Sequence, residues 1–106
     1  MRDLKWSESE RKVARRVFDV ALQQELAEIV AKFKEKAACA VKPDEMWNIE
    51  AWLAQRRREI DVKYDFRYSQ LVMLFGRLVR ENRVNDRQLL GLSEDKLSYI
   101  EHIASL

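Results

Sequence analysis

The scarcity of helix-breaking residues is the feature that most restricts the fold of this chain. Only two glycines and one proline occur among its 106 residues, so few positions favour a tight turn or interrupt a helix. In the long segments between them, apolar residues recur every three or four positions, which is the spacing of one face of an α-helix. The sequence therefore predicts an all-α protein whose helices run for many turns.

The first predicted helix begins at Ser7. Ser7 and Glu10 form a Ser-x-x-Glu capping box, in which the two side chains accept hydrogen bonds from backbone amides that the first helical turn leaves free. The apolar stripe that follows is built mainly from Phe18, Leu22, Leu26, Ile29 and Phe33. We expect this helix to continue to about Ala40. Because Pro43 suits the first turn of a helix better than its interior, a tight turn is expected at residues 41–42.

A second long helix is predicted to have Pro43 in its first turn, to carry an apolar stripe from Met46 onward and to stop near residues 81–83. Its apolar stripe consists of Ile49, Leu53, Ile60, Tyr64, Tyr68, Leu71, Phe75 and Leu78. Gly76 lies inside this pattern, and a glycine there weakens a helix by up to about 1 kcal/mol relative to alanine. We interpret Gly76 as a close-packing point or a local bend.

The residues after the second helix predict two short helices. Asn85 and Gln88 can cap a short helix that ends at Gly91, and Ser93 can cap a last helix. The predicted architecture is thus a single domain over residues 1–106. It has an N-terminal tail (1–6), two long antiparallel helices that form a hairpin (7–83) and a small C-terminal helical head (84–106).

The lengths of the two helices favour a homodimer. About 33 helical residues span roughly 50 Å, whereas a compact domain of 100 residues has a radius of gyration of about 13 Å. A two-helix rod leaves apolar surface that a second copy could cover. The alternative is an extended monomer with solvent-exposed apolar patches.

Composition indicates a cytoplasmic protein without catalytic activity. The formal charge is only +2, and the longest apolar run, Leu71 to Phe75, is far shorter than the roughly 20 residues that cross a bilayer. The start of the chain also lacks a signal-peptide pattern. Cys39 and His102 are the only residues of their types, which excludes an intrachain disulfide and leaves no metal-ligand or catalytic cluster. We expect no enzymatic activity, no cofactor and no metal.

A second face of the predicted second helix has the composition of a protein-binding surface. At 100° per residue Trp47 lies about 160° from Ile49, so the two side chains cannot face the same neighbour. Near Trp47 on the helical wheel lie Ala51, Ala54, Arg58, Asp61 and Asp65, flanked by Glu50 and Arg57. A tryptophan beside small residues and charges is typical of interface anchors. This strip is either a dimer seam or a surface for another partner.

The carboxylates and arginines of the same region have simpler interpretations than catalysis or phosphate binding. Asp61 and Asp65 are one predicted helical turn apart, but no histidine or nucleophile accompanies them. We expect an ion-pair network made by Arg58, Asp61, Tyr64, Asp65, Arg67 and Tyr68. The run of arginines at residues 56–58 fans around the helix by 100° per residue, which does not form one flat phosphate site.

Several motifs resemble the fluorescence recovery protein family. The central one reads Trp47-x-Ile49 to Leu53, then Arg57-x-Glu59-Ile60-Asp61-x-Lys63-Tyr64-Asp65-x-Arg67-Tyr68-Ser69. Trp6-Ser7 and Gly91-Leu92-Ser93-Glu94-Asp95-Lys96-Leu97 extend the similarity over essentially the whole chain. The resemblance implies an antiparallel helical dimer that binds the photoactivated orange carotenoid protein, speeds its return to the resting form and so ends quenching, without covalent chemistry.

The resemblance also assigns contact residues. Trp47 and Arg57 match functional positions of the family, whereas Glu50 and Ala51 replace a histidine and an aspartate typical of cyanobacterial members. This exchange rearranges charge on the contact strip, which alters partner choice more than it alters the fold. The partner is therefore the orange carotenoid protein or a different protein in its place. The competing hypotheses are a nucleic-acid-binding helical dimer and a purely structural helical hairpin.

Overall fold

A computed structural model describes residues 4–106, and residues 1–3 of the predicted N-terminal tail lie outside this range. Every regular element that it describes is a helix, which confirms the all-α class. The elements are α1 (Glu8–Cys39), α2 (Pro43–Lys63), α3 (Tyr68–Arg80), a short 3₁₀ helix (Asp86–Leu89) and α4 (Glu94–Ala104).

The predicted ends of α1 and the predicted start of α2 are confirmed. The amide of Ser7 donates to Glu10 Oε1 at 3.0 Å, and the amide of Glu10 donates to Ser7 Oγ at 3.2 Å, which completes the capping box. α1 ends at Cys39, and α2 begins at Pro43 after a short turn. Local chemistry therefore favours the starts of both helices, through the capping box in α1 and through Pro43 in α2.

The prediction of one continuous helix from Met46 to about Glu81 was wrong. Residues 64–67 are not helical, and they separate α2 from α3. The Tyr64 hydroxyl donates to the Ala21 carbonyl at 3.3 Å, and the Tyr64 and Phe66 rings meet Phe18 edge-on at centroid distances of 5.5 and 5.0 Å. Docking of these rings on α1 outweighs the helical spacing of the local sequence.

The predicted caps at Asn85 and Ser93 are confirmed, whereas the short helix ends at Leu89 and not at Gly91. The Asn85 side chain accepts from the Gln88 amide at 3.0 Å, and the Gln88 side chain accepts from the Asn85 amide at 2.9 Å. Gly91 adopts a φ of 107°, a conformation that favours glycine. Ser93 accepts from the Lys96 amide at 3.4 Å and caps α4.

The chain forms two compact units. Unit 1 combines Met1–Ala21, as far as it is described, with Tyr64–Leu106, and unit 2 is Leu22–Lys63. The buried apolar side chains of residues 4–106 all belong to unit 1, and the largest fully buried ones are Phe75, Leu71, Leu78, Leu89, Ile100, Val17 and Val72. Unit 2, which is described throughout, has no buried residue. The division into tail, hairpin and head stays a prediction.

Gly76 is a close-packing point between α3 and α4. A β-carbon added to Gly76 would lie 2.5 Å from Ile103 Cγ2, 2.6 Å from Ile103 Cβ and 3.1 Å from the Ile100 carbonyl oxygen. These separations are shorter than van der Waals contact, so only a residue without a side chain lets the two helices approach this closely. The first of the two interpretations of Gly76 is confirmed.

A buried ion pair joins the start of α1 to α4. Lys96 Nζ lies 3.1 and 3.0 Å from the two carboxylate oxygens of Glu10 and also donates to the Lys5 carbonyl. Burial opposes ionisation of Glu10. Hydrogen bonds from the amides of Ser7 and Ser93, together with the charge of Lys96, outweigh that effect and lower the pKa of Glu10 from 4.5 to about 2. Glu10 is thus held as a carboxylate inside unit 1.

Candidate protein-binding surface

The four predicted contact residues all lie on α2 and are exposed. The Trp47 residue is 58% exposed, and the Arg57 side chain is 86% exposed. Glu50 and Ala51 are exposed as well. A tryptophan with more than half of its surface in contact with water leaves apolar area that a bound protein could cover. This part of α2 is therefore available for contact within unit 2.

Trp47 and Ile49 have different surroundings, as their angular separation on the helix predicts. Ile49 is half-buried and lines an apolar groove of about 640 Å³ in unit 2. The groove is lined by residues from both helical segments of the unit, Phe33, Ala37, Ala40, Val41, Lys42, Pro43, Met46, Ile49, Glu50 and Leu53. Trp47 does not line this groove, whereas Glu50 stands at its border.

A second hollow of unit 2 contains Arg57. Its volume is about 340 Å³, and its apolar lining comes from Leu22, Leu26, Ile29, Leu53 and Ile60. Arg56, Arg57 and Asp61 supply its polar border. An apolar floor edged by opposite charges is the usual composition of a protein contact site.

The arginines at positions 56–58 have separate local partners. Arg56 pairs with Glu59 at 2.7 Å, Arg57 with Asp61 at 4.0 Å, and Arg58 donates to the side-chain Oε1 of Gln55 at 2.7 Å. Lys63, at the end of the same helix, pairs with Glu25 of α1 at 2.8 Å. These side chains do not converge on one point, so the geometry offers no phosphate clamp.

The residues of the predicted ion-pair network fall in both units. Arg58 and Asp61 belong to unit 2, and the other four members, Tyr64, Asp65, Arg67 and Tyr68, belong to unit 1. Asp65 lies beyond the end of α2, so the helical strip around Trp47 ends at Asp61. Arg67 donates from Nε and Nη2 to the Asp65 carboxylate, and this hydrogen bonding lowers the pKa of Asp65.

Tyr68 takes part in ring contacts of unit 1. Its ring is 5.5 Å from that of Trp6 and 5.6 Å from that of Phe66, and the guanidinium of Arg11 lies 5.5 Å from its centroid. Sequence reasoning missed this cluster and missed the contact of Arg15, whose guanidinium lies 3.7 Å from the Phe66 centroid. Apart from Phe66 and Tyr68, which are two positions apart, these partners are separated by more than 50 positions, and no local spacing pairs residues so distant in the chain.

Comparison with known proteins places these features in a family. A family profile described as "Photoprotection regulator fluorescence recovery protein" matches residues 6–104. The chain is also 35% identical over 101 residues to the fluorescence recovery protein of Synechocystis sp. (strain PCC 6803), which covers 95% of this chain and 93% of that protein. The chain belongs to the fluorescence recovery protein family.

Solved fluorescence recovery proteins share the fold. The structure from Fremyella diplosiphon has a TM-score of 0.89 at 30% identity, and that from Synechocystis sp. PCC 6803 has a TM-score of 0.89 at 34% identity. Each comparison covers 96% of this chain and 100% of the solved chain. The family resemblance inferred from the sequence motifs is confirmed, and the chain is a relative of photoprotection regulators.

No helix within residues 4–106 is long and apolar enough to cross a membrane. The same residues contain no group of three or more histidine, cysteine, aspartate or glutamate side chains placed to hold a metal ion.

Proposed function

We propose that this chain is a dimeric, non-enzymatic regulator that binds the photoactivated orange carotenoid protein and speeds its return to the resting form. The residues Glu50 and Ala51, which replace a histidine and an aspartate of cyanobacterial members, suggest an alternative in which a different protein takes the place of this partner. The regulator binds one of two conformations of its partner more tightly and thereby shifts their equilibrium. It acts in the cytoplasm and needs no cofactor.

The observation that carries this proposal is the family match over residues 6–104. The match includes both the α2 surface and the buried core of unit 1. Similarity that covers only a fold would leave the function open. Here 35% sequence identity extends over 95% of the chain, which supports a related function.

The proposed contact surface lies on α2 and centres on Trp47 and Arg57. Both are exposed and belong to the residue types that contribute most to protein–protein affinity. Glu50 and Ala51 extend the surface. The members of the predicted network are expected to stabilise their own units: Arg58 and Asp61 lie in unit 2, and Tyr64, Asp65, Arg67 and Tyr68 lie in unit 1.

A colour-reversion assay tests the function. We expect the purified chain to accelerate the return of photoactivated orange carotenoid protein from red to orange in the dark at a substoichiometric ratio. The assay monitors the visible absorption of the carotenoid. A recovery rate that is the same with and without the chain would reject this partner, and a co-isolation experiment from the source cells would then test the alternative partner.

Substitution of the α2 surface tests the contact residues. We expect Trp47→Ala or Arg57→Glu to weaken capture of the partner about tenfold or more, because each change removes or reverses a side chain that contacts it. Arg80→Glu, on the exposed side of α3, is the matched charge-reversal control. Circular dichroism and solution mass should stay unchanged in all three variants. Capture equal to that of the unmodified chain by both α2 variants would contradict this surface.

We propose that the homodimer forms through unit 2. In this dimer the apolar surface of the two long antiparallel helices of one copy is covered by the second copy. Its support is that none of the apolar residues of Leu22–Lys63 is buried, although apolar residues line both hollows of this unit. Val30, Phe33 and Met46 are among the large apolar residues left exposed. Single soluble chains rarely leave so much apolar surface in water.

Charge placed on the apolar lining of the smaller hollow of unit 2 should prevent association, whereas Arg57→Glu alters only the exposed polar border of that hollow. We expect Ile29→Glu to reduce the mass in sedimentation at micromolar concentration from twice 12.7 kDa to 12.7 kDa, because a glutamate without a partner is strongly disfavoured in an apolar interface. Val62→Glu is the control, since Val62 is 82% exposed and lines neither hollow. A single-copy mass for the unmodified chain would refute the dimer.

A further inference from the structure

An exposed face of α1 in unit 1 concentrates positive charge. Four cationic residues lie within six positions at its N-terminal end, and we call them the basic face. They are Arg11, Lys12, Arg15 and Arg16, and all four are exposed. At 100° per residue they spread over about 140° of the helix surface, and they extend for roughly 7.5 Å along its axis. The four side chains are therefore close enough to contact one small ligand surface simultaneously.

The cations of the basic face are poorly neutralised by the chain itself. Within residues 4–106, Arg11, Lys12 and Arg16 form no ion pair, and Arg15 makes a single contact with Asp19 at 3.4 Å between half-exposed side chains. Five other arginines of the described chain each have a nearby carboxylate, namely Arg56, Arg57, Arg67, Arg77 and Arg83. The basic face thus keeps most of its hydrogen-bond donors available to another molecule.

Aromatic rings hold two of these arginines in place. The Arg15 guanidinium lies 3.7 Å from the Phe66 centroid, and the Arg11 guanidinium lies 5.5 Å from the Tyr68 centroid. The two rings are themselves packed at 5.6 Å, and Phe66 also meets Phe18. A guanidinium stacked on a ring keeps the N–H groups at its edge free for hydrogen bonds. Because the ring already restricts the rotamers of the arginine side chain, ligand binding costs less conformational entropy.

We propose that the basic face binds a carboxylate-rich surface of a partner protein. Stacked guanidinium groups can donate two parallel hydrogen bonds to a carboxylate, and the neighbouring lysine and arginine add charge attraction. This site lies in unit 1 and goes beyond the proposed function, which uses the α2 surface of unit 2. It identifies the partner surface only by its chemistry.

The surroundings favour carboxylates over a nucleic acid. Glu8 and Asp19 stand on the same side of α1 at the two ends of the basic face, about 16 Å apart along the helix axis. A nucleic-acid backbone that followed the helix would be repelled by both carboxylates, whereas a compact cluster of acidic side chains fits between them. Because Arg15 covers Phe66 at 3.7 Å, that ring is not free to stack on a nucleobase, which is the usual support of single-strand binding.

Titration with defined probes tests the proposal. The first probe is a fluorescently labelled peptide of six glutamates, and the second is a labelled single-stranded oligonucleotide with the same number of charges. Both are titrated with the full chain at low salt, and anisotropy is measured. We expect the peptide to bind more tightly than the oligonucleotide. Absence of peptide binding, or tighter oligonucleotide binding through the same residues, would overturn the proposal.

Two sets of variants separate the basic face from general charge attraction. We expect Lys12→Glu/Arg16→Glu, which alters no ring contact, to weaken peptide binding about tenfold or more. Arg80→Glu/Arg87→Glu changes the net charge equally on exposed arginines elsewhere in unit 1 and should have little effect. Equal losses in both pairs would show non-specific attraction and overturn the proposal.

A conservative substitution tests the role of the stacked arginine. Arg15→Lys keeps the charge but removes the planar guanidinium that rests on Phe66. We expect it to weaken peptide binding about threefold or more, because a lysine donates to a carboxylate as a flexible point charge. Circular dichroism at the assay temperature verifies that the variant is folded. Unchanged affinity of the folded variant would refute the assigned role of ring-held Arg15.

Discussion

Replacing Lys96 by methionine should lower the free energy of unfolding by about 3–5 kcal/mol, the usual loss when one member of a buried ion pair is removed. Lys96 is 3% exposed and Glu10 is 8% exposed. In Lys96→Met, the Glu10 carboxylate stays buried without its cation, and the Lys5 carbonyl loses a donor. Urea denaturation at pH 7 measures the change.

A double variant separates the loss of the ion pair from the loss of packing. Glu10→Gln/Lys96→Met leaves no uncompensated charge, and we expect it to be less destabilised than Lys96→Met alone. Lys12→Met, at an exposed position of α1, is the surface control and should change stability by less than about 0.5 kcal/mol. Equal losses in the single and double variants would contradict an electrostatic origin.

The pH dependence provides an independent check of the Lys96→Met result. The pKa of Glu10 in the folded chain, about 2, is lower than its ordinary value of 4.5. The ionised carboxylate therefore stabilises the fold above pH 4.5, and this contribution is lost as the pH falls through about 2. Once Glu10 is protonated it needs no cation, so the difference between the unmodified chain and Lys96→Met should become smaller as the pH falls below 4.5.

The second large effect is expected at Gly76, where alanine should destabilise the chain by about 1–3 kcal/mol as overpacking does in other cores. The new methyl group would lie 2.6 Å from Ile103 Cβ, which is a branch point next to the backbone and cannot rotate away. In an exposed helix the same change would be favourable by about 1 kcal/mol. The sign of the effect therefore distinguishes close packing from a tolerated helical glycine.

Thermal and urea denaturation of Gly76→Ala measure this effect. Ser69→Ala, at an exposed position of the same helix, is the control for a change in helix propensity alone and should be nearly neutral. A Gly76→Ala chain more stable than the unmodified one would show that α3 and α4 can separate without loss. Close packing at Gly76 would then not limit stability.

Most helix ends could be predicted from sequence because local groups determine them. Ser7 with Glu10, Asn85 with Gln88, and Ser93 each satisfy backbone amides within three or four positions. The different surroundings of Trp47 and Ile49 also followed from the sequence, since the angle between them depends only on the helical repeat. The family motifs in turn predicted the membership that the comparisons confirmed.

The break between α2 and α3 was decided by the tertiary structure. The apolar spacing through residues 60–71 is that of one continuous helix, and no glycine or proline interrupts it. Tyr64 and Phe66 nevertheless leave the helix because they gain ring contacts with Phe18, and Tyr64 also gains a hydrogen bond to Ala21. These partners lie more than 40 positions away, so their contribution has no local sequence signal.

The same division applies to the two charged features of unit 1. The sequence by itself determined that Glu10 caps α1 and that the chain is helical throughout its regular elements. Only the tertiary structure decided that Lys96 neutralises Glu10 from 86 positions away and that Phe66 lies under Arg15. Local backbone chemistry acts over one turn, whereas burial brings together side chains whose separation in the sequence carries no information about their contact.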